Sequence, residues 1–275
     1  MDKKYSPIGV FDSGLGGLTV VKDLLEYLPN EDIVFFGDTA RVPYGGRSRE
    51  TITAYVREDI DFLMQHSVKA VVIACNTADS MARAAVEKDY AVPMVGVVIP
   101  AAKKAAAVTR NGRVGVIGTK ATVESRAYET AMAEFAPRVR VFPVACPLLA
   151  PLVEEGRFHK GDPVVDRVLS DYLEPLKAKG VDTLILGCTH YPLLYDSIAA
   201  IMPQTELICS GPASTEALID LLDRNELRND SGKPGSIQYY VSDAPARFAE
   251  NGGKFIGREI HGSVTLVSPK VPSIQ

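Results

Sequence analysis

Two of the four cysteines end short apolar runs that are typical of buried β-strands. Residues 69–75 end in Cys75 and are followed by Asn-Thr, and residues 182–188 end in Cys188 and are followed by a threonine. In parallel α/β sheets, ligands bind beyond the carboxyl ends of the strands. A helix that starts there offers unpaired N–H groups and a positive dipole end, which favour a thiolate and bind carboxylates. We therefore expect both thiols to have lowered pKa values beside an anion site.

Two such thiols on opposite sides of one ligand suit the inversion of a stereocentre. Racemisation removes a Cα proton from one face and returns a proton to the other. It needs two groups, one deprotonated and one protonated, which exchange states in each turnover. The sequence therefore favours a two-base acid–base mechanism.

No segment of the sequence carries a cofactor signature. Gly14–Gly17 fits neither GxGxxG nor the Walker pattern, so we predict a tight strand–helix turn there. No lysine stands out as a Schiff-base candidate, and the cysteine spacings match no zinc pattern. We expect neither a cofactor nor a metal, with the carbanion stabilised by hydrogen bonds and fixed dipoles alone.

The other two cysteines are not accompanied by a cluster of polar residues that would indicate a chemical role. Cys146 precedes a proline and Cys209 precedes a serine, with no polar cluster around either. We interpret both as small buried hydrophobic residues. A disulfide framework is not expected in a chain of this length without an export signal.

The pattern of predicted strands and helices that positions the two thiols occurs twice along the chain. Short β-rich runs alternate with helical patterns, which predicts parallel sheets covered by helices. The first set of runs lies at 7–12, 32–37 and 69–75, and the second at 113–118, 138–143 and 182–188. The sequence thus predicts an α/β fold with two similar doubly wound parallel-sheet lobes, related by pseudo-twofold symmetry, and an active site in the cleft between them.

The C-terminal third of the chain decides the lobe boundaries. It shows a helix from Ser210 to about Asn225, a strand at 237–242, a short helix at 244–251 and a strand near 263–267. We expect this tail to return to the first lobe. The predicted lobes are 1–98 together with 210–275, a discontinuous unit, and 99–209.

Composition restricts the function classes. The 275 residues carry a formal net charge of −4, and lysine and arginine are scattered, so we expect no nucleic-acid partner. The longest apolar stretch, residues 91–102, is interrupted by prolines and is too short to span a bilayer. The N-terminus has no signal-peptide pattern. We expect a cytoplasmic protein with no membrane association.

Five segments carry a resemblance to a known family. They are Phe11–Thr19 (FDSGLGGLT), Gly37–Gly45 (GDTARVPYG), Ala74–Ala78 (ACNTA), Pro151–Gly156 (PLVEEG) and Gly187–Pro192 (GCTHYP). In this order, the sequence resembles the glutamate racemases of the aspartate/glutamate racemase superfamily over nearly its whole length. The resemblance implies cofactor-independent interconversion of L- and D-glutamate, which supplies D-glutamate for peptidoglycan. It also implies a homodimer, and that Cys75 abstracts the proton of the D-enantiomer and Cys188 that of the L-enantiomer.

The resemblance also implies acid–base helpers for the two thiols. Asp12 ends the first strand, which should lie near Cys75, although a capping role for the glycine turn is an alternative. His190 lies two residues beyond Cys188 and is implied as the second thiol's assistant, against the alternative of a structural histidine. Glu154 is the third implied helper, with the adjacent Glu155 as an alternative.

The remaining candidate residues are donors for the two carboxylates of a substrate. Hydroxyl, amide and backbone N–H groups suffice for this task, and fixed helix dipoles replace an arginine clamp. The predicted substrate-binding residues are Asp12, Ser13, Tyr44, Gly45, Asn76, Thr77, Thr189 and His190. Arg41 and Arg47 are weaker candidates for positive potential near the cleft. Two alternatives stay open: an aspartate or hydantoin racemase of the same superfamily, and a non-catalytic binding or regulatory protein on this fold.

Overall fold

The strands form two parallel sheets. The structure, a computed structural model, describes residues 2–260 and 262–268. The first sheet has the order β10-β9-β2-β1-β3-β4 and the second has the order β6-β5-β7-β8. The strands are β1 (Ile8–Asp12), β2 (Ile33–Gly37), β3 (Ala70–Ile73), β4 (Met94–Gly96), β5 (Arg113–Gly118), β6 (Arg140–Ala145), β7 (Thr183–Gly187), β8 (Glu206–Cys209), β9 (Ile237–Val241) and β10 (Val264–Leu266).

Helices follow most strands and cover both faces of each sheet. The α-helices are α1 (Leu18–Tyr27), α2 (Arg49–Met64), α3 (Asn76–Val86), α4 (Val98–Val108), α5 (Lys120–Ser125), α6 (Ala127–Phe135), α7 (Leu149–Glu154), α8 (Pro163–Ala178), α9 (Tyr195–Ile201), α10 (Ser210–Arg224) and α11 (Pro245–Ile256). Their starts follow local chemistry. Ser48 caps α2, Thr119 caps α5, and Asp162 caps α8 just before Pro163 at its first position.

Burial explains the apolar runs of the strands. All residues of β1, β2, β3 and β7 are buried, as expected for strands with helices on both faces. One core cluster is shared between the lobes. It joins Leu18 and Leu24 of α1 to Leu218 of α10 and to Leu184 and Leu186 of β7. This shared core holds the two sheets together behind the cleft.

The repeated pattern in the sequence corresponds to a repeated strand order. The order β2-β1-β3-β4 in the first sheet matches β6-β5-β7-β8 in the second, so β3 and β7 occupy equivalent positions beside the central strands β1 and β5. The predicted α/β fold with two parallel-sheet lobes is confirmed.

The tail adds two strands to the first sheet. β9 pairs with β2 from Ile33↔Ile237 to Gly37↔Val241, and β10 pairs with β9. These two strands of the tail therefore belong to the first sheet. The division of the chain at 98/99 and 209/210 stays a prediction. Within the predicted first lobe, Met1, His261 and residues 269–275 lie outside the described residues.

Two predicted elements differ from the observed ones. The strand predicted at 138–143 is β6, Arg140–Ala145, with Pro143 inside it. Proline is tolerated there because β6 is an edge strand and one of its sides needs no ladder donor. The sequence pattern predicts a helix over 193–201; the structure has a 3₁₀-helix, Tyr191–Leu194, that leads into α9. No helix in the described part of the chain is long and apolar enough to cross a membrane.

Candidate active site

The two thiols face one small cavity between the lobes. Cys75 lies two residues beyond the end of β3 and is the N-cap of α3, and Cys188 directly follows β7. Both are 6 % exposed. The cavity measures about 60 Å³. Its lining residues are Ser13, Val42, Pro43, Tyr44, Gly45, Cys75, Asn76, Thr77, Thr119, Ala150, Glu154, Cys188, Thr189 and His190.

The structure therefore brings together most of the predicted site residues. Of the predicted catalytic and substrate-binding residues, Asp12 does not line the cavity; it lies behind the wall, fully buried. It accepts a hydrogen bond from the Gly14 N–H at 2.9 Å, and its Oδ1 lies 3.5 Å from the Thr189 hydroxyl. Burial raises the pKa of Asp12, and the nearby Glu154 charge adds to this, while His190 and the N–H groups of the glycine turn oppose it.

Cys75 has a hydroxyl and a carboxylate as its polar neighbours. Its Sγ lies 3.4 Å from the Ser13 Oγ. Burial raises the pKa of Cys75 to about 12, and the Asp12 charge adds to the effect; hydrogen bonds from Ser13 and from the Ala78 N–H only partly offset it. The expected lowering of this pKa by the start of α3 is wrong, because desolvation outweighs the helix N–H groups.

Cys188 has a histidine as its polar neighbour. Its Sγ lies 3.7 Å from His190 Nδ1, and His190 Nε2 lies 3.0 Å from Glu154 Oε1. Burial lowers the pKa of His190, but the hydrogen bonds and charges of Cys188 and Glu154 outweigh it and raise the pKa to about 10. The same hydrogen bond lowers the pKa of Glu154. Glu154, and not Glu155, is thus the carboxylate that contacts His190.

The glycine turn after β1 lies directly against the loop that follows β7. A Cβ at Gly16 would lie 2.1 Å from the Thr189 Oγ1 and 2.7 Å from the His190 Nδ1, so only glycine fits this approach. The Thr19 hydroxyl lies 3.0 Å from the Thr189 carbonyl oxygen, to which it donates. The tight turn predicted for Gly14–Gly17 is confirmed, and its role is to let the two lobes meet beside the thiols.

Thr119 was missed in the sequence, although it lines the cavity. It follows the end of β5, just as Ser13 follows the end of β1, so the internal repeat carried the signal that identifies it. Its hydroxyl lies 2.9 Å from that of Thr77 across the cleft. Hydroxyls from both lobes therefore meet at one end of the cavity.

Two of the predicted polar side chains are engaged elsewhere. The Tyr44 hydroxyl donates to Asp38 and lies 3.0 Å from Asp59, so the predicted hydroxyl contact of Tyr44 with a ligand is not available. Arg41 is held between Asp38, Asp59 and Glu58, which compensate its charge. Gly45 and the backbone of Tyr44 remain on the cavity wall.

Fold and site together define a two-lobed α/β protein with a pair of thiols that face one cleft between the lobes. Residues 8–218 match the family model described as Asp/Glu/Hydantoin racemase, and the chain belongs to that family. Two relatives show where in the family it lies. "Glutamate racemase" of Syntrophus aciditrophicus (strain SB) is 48% identical over 257 residues, which cover 93% of this chain and 94% of the relative. "Glutamate racemase" of Geobacter metallireducens is 45% identical over 265 residues, 96% of this chain and 97% of the relative.

A solved structure shows the same similarity in three dimensions. It is glutamate racemase from Francisella tularensis subsp. tularensis SCHU S4 in complex with D-glutamate. It superposes with a TM-score of 0.89 at 38% identity and covers 96% of this chain and 98% of its own. The similarity therefore extends over both lobes.

Proposed function

We propose that this chain interconverts L- and D-glutamate by a two-thiol mechanism that uses no cofactor. The observation that carries the proposal is the pair of thiols, Cys75 and Cys188, which face one cavity from two lobes with a separate acid–base partner each. The relatives named glutamate racemase and the D-glutamate complex of the Francisella protein support glutamate as the substrate.

In the L-to-D direction, Cys188 takes the Cα proton and Cys75 gives one. The C–H electron pair stays on Cα as a carbanion while the Cys188 sulfur becomes a thiol. The Cys75 S–H then donates its proton to the opposite face and becomes a thiolate. The raised pKa of Cys75 suits the donor role because it keeps this thiol protonated at neutral pH. The D-to-L direction runs the same transfers in reverse.

After an L-to-D turnover Cys188 is a thiol and Cys75 a thiolate, so a proton must pass from Cys188 to solvent, and another from solvent to Cys75, before the next L-glutamate reacts. His190 lies next to Cys188, and its pKa of about 10 makes it a cation that offsets the charge of a thiolate there. Asp12 lies behind Cys75, and its buried carboxyl exchanges protons on that side. Each half of the reaction therefore has its own proton-handling group.

Neutral groups bind the two carboxylates of the substrate in this proposal. No lysine or arginine lines the described cavity, but hydroxyls of Ser13, Thr77, Thr119 and Thr189 do. The N-terminus of α3 adds unpaired N–H groups and a positive dipole end. These fixed dipoles also stabilise the developing carbanion.

The cavity between the lobes is small, because its volume of about 60 Å³ is well below the roughly 300–1,000 Å³ of typical ligand pockets. We propose that the lobes separate when substrate binds or leaves.

The first experiment is incubation with L-glutamate in D₂O, with no cofactor added. Cα deuteration is followed by NMR and inversion by loss of circular dichroism. We expect both to proceed to a racemic, deuterated product. A Cys209→Ser variant is the matched control, because this thiol does not line the cavity, and it should retain full activity.

If neither signal changes, aspartate and hydantoins are tested in the same assay. Activity on either of them, with glutamate inert, would move the proposal to another substrate of the family. Silence with all three substrates would leave a binding protein on a racemase fold. Supply of D-glutamate for peptidoglycan, a homodimer and a cytoplasmic location are further proposals that rest on the family resemblance; sedimentation analysis tests the dimer.

A further inference from the structure

Tyr128, at the start of α6, contacts the chain neighbours of both thiols. Its side chain is 2 % exposed. On one side, a Cβ at Gly187 would lie 3.2 Å from Tyr128 Cε2, and Gly187 immediately precedes Cys188. On the other side, the Tyr128 hydroxyl oxygen lies 2.8 Å from Asn76 Nδ2, and Asn76 immediately follows Cys75. One rigid ring from the second lobe therefore connects the two positions.

The Asn76 side chain is fixed by this contact and by a second one. Its Nδ2 also lies 3.3 Å from the Ser210 Oγ, and the Ser210 hydroxyl donates to the Leu186 carbonyl oxygen on β7 at 3.3 Å. Asn76 Oδ1 has no hydrogen-bond partner among the described residues. Both N–H donors of the amide are thus turned toward Tyr128 and Ser210, which sets the orientation of the first residue of α3.

We propose that Tyr128 is a positioning residue that holds the two thiols at the separation required for proton transfer through one Cα. This inference rests on the proposed function. The thiols lie on different lobes, so their spacing depends on contacts between the lobes, and the hydrogen bond between Asn76 and Tyr128 is one of these contacts. Tyr128 does not line the cavity, so it acts through Asn76 and Gly187.

The test uses Tyr128→Phe, which retains the ring and removes the acceptor oxygen. Loss of one buried hydrogen bond predicts a fall in kcat/KM of about tenfold. Lower activity alone does not separate positioning from a general structural defect. The decisive readout is the ratio of two events that start from L-glutamate in D₂O: deuteration of the remaining L-glutamate, and formation of deuterated D-glutamate.

A misplaced donor thiol lengthens the life of the carbanion. The thiol that took the proton then has time to exchange it with solvent and to return deuterium to the same face. We expect the ratio of exchange to inversion to rise about threefold or more in Tyr128→Phe. A structural defect that merely inactivates a fraction of the molecules lowers both events equally and leaves the ratio unchanged.

Tyr239→Phe is the matched control. Tyr239 is also buried, at 3 % exposed, but it lies on β9 and packs against Phe35 and Phe248, away from the cavity. It should keep the ratio of the unaltered protein. Ser210→Ala, which removes the other acceptor of Asn76, serves if Tyr128→Phe does not fold, and it should raise the ratio in the same direction.

The outcomes separate this inference from the proposed function. If the unaltered protein does not racemise glutamate, the proposed function fails. If it does, but Tyr128→Phe and Ser210→Ala both leave the ratio of exchange to inversion unchanged, the positioning role alone is overturned.

Discussion

The two thiols occupy equivalent places in two similar lobes, but their neighbours differ. Cys75 follows β3 and has the Ser13 hydroxyl and the buried Asp12 carboxyl beside it. Cys188 follows β7 and has His190 beside it, which is bound in turn to Glu154. Repetition of the fold therefore placed the sulfurs symmetrically, whereas the loops after the strands supplied different acid–base groups. The two mirror-image halves of the reaction are served by unlike chemistry.

This asymmetry places a cation beside one thiol and keeps the other thiol neutral. With a pKa of about 10, His190 is a cation at neutral pH, so positive charge lies 3.7 Å from the Cys188 sulfur. With a pKa of about 12, Cys75 is a neutral thiol at the same pH. A two-base racemase needs one thiol ready to accept a proton and the other ready to donate one. In the proposed mechanism, the neutral Cys75 thiol and the cation beside Cys188 are the arrangement that suits L-glutamate.

Replacing either thiol gives the largest effect. We expect Cys75→Ser and Cys188→Ser each to lower the racemisation rate by about 10⁴-fold or more, as removal of a nucleophile does elsewhere. The two variants should differ in what remains. Cys75→Ser should still exchange the Cα proton of L-glutamate, and Cys188→Ser that of D-glutamate, as NMR in D₂O will show. Retention of full racemase activity by either variant would rule out the two-base mechanism.

Replacing one helper at a time sharpens the comparison. His190→Asn and Asp12→Asn should each lower kcat by about 10²-fold, the usual scale for loss of acid–base assistance. The His190 variant should lose more kcat with L-glutamate, and the Asp12 variant more with D-glutamate. Because the two enantiomers have equal free energy, kcat/KM must stay equal in both directions, so KM shifts in step with kcat.

Kinetics from each enantiomer, followed by circular dichroism, measure this difference. Glu155→Gln is the matched control for the carboxylate side, because the contact of His190 is with Glu154. If both helper variants lose kcat equally with L- and D-glutamate, the helpers do not divide the work between the thiols.

The sequence predicted the parts of the site that are local in the chain. The strand-end thiols, the glycine turn and the residues that follow each strand were all accessible from apolar runs and the internal repeat. His190 and Glu154 came from the family resemblance, and their contact joins segments that are distant in the chain. Thr119 was accessible from the repeat as well, because it occupies the second lobe's equivalent of Ser13.

What the sequence did not predict depends on contacts between distant segments. Nothing local shows that the Tyr44 hydroxyl is engaged by Asp38 and Asp59, or that Tyr128 lies between the neighbours of both thiols. The pKa of Cys75 was predicted in the wrong direction for the same reason. A helix start can be inferred from the sequence, but the degree of desolvation depends on how tightly the lobes close.

Filling the space at the glycine turn tests the lobe contact itself. Gly16→Ala places a Cβ against the Thr189 hydroxyl and the His190 ring, and we expect it to cost about 2 kcal/mol of unfolding free energy, typical of overpacking. It should also lower kcat/KM, because the displaced loop carries Cys188. Gly46→Ala is the control, since no heavy atom lies within 4 Å of its added Cβ. Thermal unfolding of both variants measures the difference, and equal stability would show that the turn gives way freely.

The smallest expected effect concerns the ionisation of Cys75. In a Cys188→Ser background, alkylation of Cys75 by iodoacetamide is followed by peptide mass spectrometry. Because only the thiolate reacts and the pKa is about 12, the rate should rise about tenfold for each pH unit between about pH 7 and about pH 10, with no plateau. Asp12→Asn should speed the reaction, because the Asp12 charge contributes to the raised pKa.

A plateau below about pH 9 would mean that the start of α3 lowers the Cys75 pKa after all. Both thiols would then be prepared as bases, and the lobes would be alike in chemistry as well as in fold. The slope of the alkylation rate against pH therefore decides between two cases. In a symmetric pair both thiols start as bases, and one of them must be protonated before either enantiomer can react. In the asymmetric pair that the unlike neighbours indicate, Cys75 is already protonated. An unbroken rise in rate would leave His190, and not the helix start after β3, as the group that decides which thiol takes the first proton.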